Sequence, residues 1–256
     1  HPARIMTAPD STPRQGAPGY LHGFTDSEAD RLIRQARFLE QRVHGQLPFQ
    51  HCTDLLEVGC GVGAQSQILL RRFPDLHVTG LDASPENLAT AQRNIEQQSW
   101  HEGRIDFVKG DAMAMDFPMD RFDGAYLCWV LEHIPDPARV LSEVRRVLRP
   151  ASHVVVNEVQ NGSFFLAPYS PSTLAYWAAF NDLQYELGGD PFIGARLGNL
   201  LLRSGYRDIV TDVITVLLDN RWPGERSEFI AFWAELLLSG SESLLQAGKV
   251  SEETFE

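Results

Sequence analysis

Three carboxylates and a run of glycines are the residues of this chain best suited by type to hold a ligand. In "LLEVGCGVGAQ", residues 55–65, an apolar run reaches Glu57 and then opens into Gly59, Gly61 and Gly63. A turn stripped of side chains lets a bound molecule lie against the backbone, and it suits dihedrals that other residues avoid. Asp82 ends a second apolar run, "LHVTGLD". A carboxylate there can accept both hydroxyls of a ribose through its two oxygens. Gly110-Asp111-Ala112 closes a third run with another acid, placed to meet an adenine amino group. Together these residues describe a nucleoside site.

Two ligands compete for it. Gly59 to Ala64 satisfies GxGxxA, a form of the dinucleotide fingerprint. In that reading the turn clears space for a pyrophosphate at a helix N-terminus. In the other it clears space for S-adenosylmethionine, which has no phosphate; a tight turn with no ligand is the third possibility. Glu57 weighs against the dinucleotide, whose strand usually carries an apolar residue at that point. Asp82 fits either cofactor.

Group transfer to a hydroxyl or a carbon needs a general base, whereas a neutral amine needs little more than a lost proton. His133, in "VLEHIPDP", is the candidate base, since an imidazole titrates near neutrality. Glu158, in "HVVVNEV", is a second candidate; the alternative for it is an ordinary loop carboxylate.

The elements that must carry these residues are legible from periodicity. Thr25 and Glu28 form a capping box, and Leu32, Ala36, Leu39 and Val43 recur at helical spacing, so a helix spans about 26–44. Strands are expected in "TDLLEVG", "LHVTGLD", "RIDFVKGD", "FDGAYLCWV" and "HVVVNEV", with helices from Val62 to Phe73, from Ser84 to about Gln98 and after Asp136-Pro137. This alternation predicts an α/β fold: a doubly wound, Rossmann-like, mostly parallel sheet with helices on both faces, its ligand beyond the carboxyl ends of the strands. Residues 161–189 break the rhythm with an aromatic, largely helical insert, expected to cap the site. Trp177, Phe180, Asn181, Tyr185 and, beyond it, Arg196 are the candidate acceptor contacts. On the helical stripe Tyr176, Phe180, Leu183 and Leu187, core packing competes with pocket lining. A helix over Pro191–Ser204, a sixth strand within "YRDIVTDVITVLL" and one last helix over Ser227–Gln246 complete the expectation. No seventh strand is legible.

The segments "LLEVGCGVGAQSQILL", "VTGLDASPENLATA", "VKGDA" and "FDGAYLCWVLEHIPDPARVLSEVRRVLRP" resemble successive motifs of class I S-adenosylmethionine-dependent methyltransferases of the small-molecule type. "GGDPFIGARLGNLLLRSGY" is more loosely similar to the substrate side of such enzymes. The resemblance implies methyl transfer with S-adenosylmethionine as cofactor and S-adenosylhomocysteine as product. It places Gly59 and Gly61 against the cofactor, Glu57 at the turn and the methionyl ammonium, and Asp82 on the ribose. Asp111 and the Ala112 backbone would frame the adenine, and Cys128 would pass the methionyl part. Tyr20, in "GYLHGF", looks like a lid, or equally a staple for the first helix. Pro150-Ala151-Ser152 departs from the usual Pro-Gly-Gly and is expected to take another backbone route.

Composition bounds the partners. The chain of 256 residues is 43% hydrophobic and 22% charged, with a formal charge of −12. That charge disfavours nucleic acid. No run of about 18 apolar residues suggests a membrane span. Three cysteines without a CxxC argue against a disulfide framework or a metal site and fit a cytoplasmic protein. The chain begins at His1, which fits either an expression scar or a processed end, and residues 1–19 read as a flexible tail. The expected partner is a small, aromatic or apolar methyl acceptor, in a protein that is a monomer or a homodimer. An NAD(P)-dependent oxidoreductase and a non-catalytic S-adenosylmethionine-binding protein are the competing readings.

Overall fold

The computed structural model of the chain describes residues 26–100 and 103–251. Tyr20, the capping Thr25 and the expected tail lie outside the described residues. Helix α1 (Asp26–Val43) leads into strand β1 (Asp54–Val58), helix α2 (Ala64–Arg72), β2 (His77–Asp82) and α3 (Pro85–Glu96). Strands β3 (Ile105–Lys109) and β4 (Phe122–Cys128) follow, then α4 (Pro137–Val147) and β5 (Leu148–Asn157). The five strands pair in the order β3-β2-β1-β4-β5, all parallel. Strand order therefore reverses between β1 and β4, and the carboxyl end of β1 stands at the crevice where such sheets hold ligands.

Side-chain alternation along β1 builds a core on each face of the sheet. Leu56 and Val58 face one way, with Phe122, Leu127, Val140, Leu141 and Val144. Leu55 faces the other, with Leu69, Leu70, Val78 and Tyr126. Helix starts follow the expected caps: Ser84 Oγ accepts from Asn87 N–H, and Asp136 Oδ1 from Arg139 N–H.

The C-terminal part departs from expectation in several places. Helix α5 (Pro171–Glu186) lies within the insert expected to form the cap. The stretch after it is not one helix: a 3₁₀ turn at Ile193–Arg196 leads into α6 (Leu197–Arg203). The last helix is likewise divided, into α7 (Pro223–Ser239) and α8 (Ser241–Gln246), with Gly240 at the break. The sixth strand is absent from the described residues. Ile209–Leu218 has strand composition, but it pairs with no ladder, and Val210 and Val213 are exposed. Local propensity does not make a strand where the backbone lacks a neighbour to bond. Ala151 also corrects the sequence reading, because it finds no alternative route. It takes φ 64, the left-handed conformation that glycine adopts without strain. Among the described residues, no helix is long and apolar enough to cross a membrane.

Candidate active site

The glycine turn after β1 is built from two different needs. Gly59, Gly61 and Gly63 all have positive φ, at 67°, 53° and 76°. A Cβ on Gly59 would meet Val130 Cγ2 at 2.6 Å, so this glycine makes room for a neighbouring side chain. A Cβ on Gly61 would meet nothing within 4 Å. Gly61 thus faces open space, and its backbone is bare to a ligand. Gly63 caps α2 from the left-handed region, close to Ala91 on α3.

Asp82, the last residue of β2, binds this turn to the next. Its Oδ2 accepts from Gly61 N–H at 2.9 Å and its Oδ1 from Ser84 N–H at 2.9 Å. Each oxygen keeps lone-pair capacity for a ribose hydroxyl. Glu57 is only 3% exposed and lies on the α2 side of the sheet, where Ser66 Oγ donates to its Oε2 at 2.5 Å. Burial, reinforced by Asp82, pushes its carboxyl up to about 8, against the opposing pull of Ser66. A cation arriving beside Glu57 would favour its ionised form. Asp111 is exposed, and its Oδ1 accepts from Met113 N–H at 2.8 Å; Ala112 rests on the core beside it. Cys128 ends β4 as a buried thiol whose proton is held more tightly by burial. It offers a wall and no nucleophile.

The turn after β4 gathers the second half of the site. Trp129 takes φ 57, rare for a bulky side chain, and its N–H donates to Asn157 O at 2.9 Å. Val130 N–H and Leu131 N–H both donate to Glu158 Oε1, at 3.0 Å and 2.7 Å. Burial, with Glu132 close by, holds the Glu158 carboxyl above the usual carboxylate range. Glu132 is itself buried. Its Oε2 accepts from Gln184 Nε2 at 2.8 Å, and its Oε1 lies 3.7 Å from His133 Nε2. Glu132, Gln184, Ser66 and Val130 carry much of this geometry, and sequence reading did not single them out. The only available signal for Glu132 was an acid directly beside the candidate base.

Residues 56–156 match the methyltransferase domain family. An O-methyltransferase of Penicillium expansum is 33% identical over 207 residues, which cover 76% of this chain and 68% of that protein. The chain belongs to the class I S-adenosylmethionine-dependent methyltransferase family. The 27-O-demethylrifamycin SV methyltransferase of Amycolatopsis mediterranei is 31% identical over 153 residues, covering 60% of this chain and 53% of that one. The chain spans about half the length of the curated relatives it matches. In fold, a SAM-dependent methyltransferase from Aquifex aeolicus superposes with a TM-score of 0.54 at 17% identity, over 72% of this chain and 90% of that one. The cofactor of that family is S-adenosylmethionine, and the open face of Gly61 and the paired oxygens of Asp82 fit it.

The remaining candidate residues fall into two groups. His133, Glu158, Cys128 and, among the described residues, the candidate cofactor residues share the carboxyl edge of the sheet. The cap residues divide. Trp177 and Phe180, expected to line the acceptor cavity, are 8% and 2% exposed and pack in an aromatic cluster. The Trp177 ring lies 5.4 Å from Phe180, 5.7 Å from Phe164 and 4.9 Å from Trp233. Of the stripe, Tyr176, Phe180 and Leu183 are core, because α7 and α8 cover that face, and Leu187 is exposed. Asn181 spends its amide on the fold: Nδ2 donates to Trp177 O, and Oδ1 accepts from Asn161 Nδ2. Arg196 is paired with Asp190 at 2.5 Å. Tyr185 is 48% exposed, next to the Gln184 that docks on Glu132.

Proposed function

We propose that this protein transfers a methyl group from S-adenosylmethionine to a hydroxyl of a small aromatic or apolar metabolite. The observation that carries this reading is the contact of Gln184 with Glu132. It brings the aromatic cap to the same edge on which Gly61 and Asp82 present the cofactor face. The relatives named above as acting on oxygen favour a hydroxyl acceptor, and so does the carboxylate beside a candidate base.

When bound, the cofactor would supply an electrophilic methyl group on a sulfonium: the acceptor lone pair would form the new bond to the methyl carbon, in line, as the carbon–sulfur bond broke with its electron pair going to sulfur. The protein's task is to align the acceptor and to exclude water. His133 takes the hydroxyl proton on its imidazole, and Glu132, opposite Nε2, stabilises the imidazolium that forms. Asp82 and the Gly61 backbone hold the nucleoside, and Glu57 receives the methionyl ammonium. Tyr185 orients the acceptor, while Trp177 and Phe180 stiffen the cap behind it.

The test is a mass-spectrometric search of a metabolite panel, with the protein and S-adenosylmethionine, for products gaining one methyl group. A hydroxylated aromatic should be methylated. His133→Ala should lower turnover by about two to four decades while leaving S-adenosylhomocysteine affinity unchanged. Turnover of amines alone, indifferent to His133, would overturn the hydroxyl assignment.

A further inference from the structure

The structure shows an uninterrupted line of contacts from β5 to the cofactor turn. Glu158 follows β5, yet both hydrogen bonds of its Oε1 go to the chain after β4, at Val130 and Leu131. Its Oε2 is buried and, among the described residues, has no partner. A carboxyl so placed does not reach out to a substrate. Val130, held by that oxygen, turns its γ-carbons onto the Cα face of Gly59, where a Cβ would lie 2.6 Å from Cγ2 and 2.9 Å from Cγ1. Gly59 is in turn tied to β2, its N–H donating to Leu81 O at 2.7 Å. Two residues further on is Gly61, whose N–H is held by Asp82.

The strain at this junction has the same origin. Trp129 enters the turn with φ 57. A bulky residue keeps such a conformation only where its surroundings fix it, and the fixing groups are Asn157 O before the turn and Glu158 Oε1 after it. One side chain thus satisfies two consecutive backbone donors and sets where Val130 stands.

We infer that Glu158 is a positioning residue for the cofactor turn: by fixing the Val130–Leu131 backbone it presses Val130 against Gly59 and holds the glycine turn in its binding shape. The inference rests on the cofactor reading of that turn, and it gives Glu158 a task other than that of general base. A glutamine can perform this task, since its Oε1 accepts the same two N–H groups. The raised affinity of the Glu158 carboxyl for its proton agrees with a side chain that works without ionising.

The test is calorimetric titration of S-adenosylhomocysteine into wild type, Glu158→Ala, Glu158→Gln, Val130→Ala and the Glu158→Ala/Val130→Ala double variant, each first shown to be folded by circular dichroism. Glu158→Ala and Val130→Ala should each weaken binding about tenfold, and Glu158→Gln should stay within about threefold of wild type. Because one residue acts through the other, the double variant should be no weaker than the weaker single variant. Wild-type affinity in folded Glu158→Ala, or single effects that simply multiply in the double variant, would overturn the inference. If Glu158→Ala does not fold, Val130→Ala decides alone, since unchanged affinity there removes the contact on Gly59. Failure of the wild-type protein to bind S-adenosylhomocysteine would instead sink the reading of the turn itself.

Discussion

The Gly61 N–H donates to Asp82 Oδ2 at 2.9 Å, so the glycine that faces open space is fixed by the carboxylate proposed to hold the cofactor's ribose. Asp82→Ala therefore removes two things, the proposed ribose acceptor and the tie on the turn. Loss of hydrogen bonds to a charged group costs about 1.5–3 kcal/mol, or one to two decades in affinity. Calorimetry with S-adenosylhomocysteine should show that loss in a protein that still melts cooperatively. Unchanged affinity would take Asp82 out of the site.

The two glycines of the turn should fail differently. Gly61→Val points its side chain into open space, so it should abolish cofactor binding with a modest stability loss from its positive φ. Gly59→Val meets Val130 at under 3 Å and should chiefly destabilise the protein. Melting temperatures and S-adenosylhomocysteine titrations on both variants separate the outcomes. Equal losses of both properties in both variants would refute the division of labour.

His44 gives the fold an acid-sensitive point. It is fully buried against Tyr126, with ring centroids 5.6 Å apart, and neither ring nitrogen has a partner among the described residues. Burial lowers its pKa from 6.5 to about 4; Glu40 opposes this and Arg72 and Arg71 add to it. The unfolded chain therefore takes up the proton first as pH falls, and stability is lost between pH 6.5 and about 4. A gap of this size corresponds to about 3 kcal/mol. Glu57, raised to about 8, acts in the opposite sense and loses stability as pH rises from 4.5. Urea titrations of wild type against His44→Leu isolate the histidine: the variant should gain on wild type throughout the acid window. A pH-independent difference would mean that His44 titrates alike in the folded and unfolded chain.

The cap should separate stability from specificity. Trp177→Ala or Phe180→Ala opens the aromatic cluster beneath α7 and α8 and should cost about 3–5 kcal/mol. Tyr185→Ala removes an exposed ring and should leave the melting temperature near wild type while raising KM for whichever acceptor the metabolite panel reveals. Normal acceptor kinetics in Tyr185→Ala would move the acceptor site toward His133 and away from the cap.

The sequence by itself determined the strands and the strand ends at which the cofactor site is proposed. Short apolar runs, the glycine turn and the acids at their ends are local signals, so the parallel strands and the segments that carry Glu57, Asp82 and Asp111 were legible one at a time. Tertiary structure decided the rest, because it depends on what comes to lie beside each residue. Gly59 and Gly61 look alike in the sequence, and only the approach of Val130 tells them apart. Trp177 and Phe180 could equally have lined a pocket, and the cover of α7 and α8 made them core. Ile209–Leu218 has the composition of a strand and stays unpaired, since a ladder needs a neighbour that composition cannot supply. Glu158 reads as a loop acid or a base until the chain after β4 is seen to place two N–H groups on one of its oxygens, a contact between residues 27 and 28 positions apart.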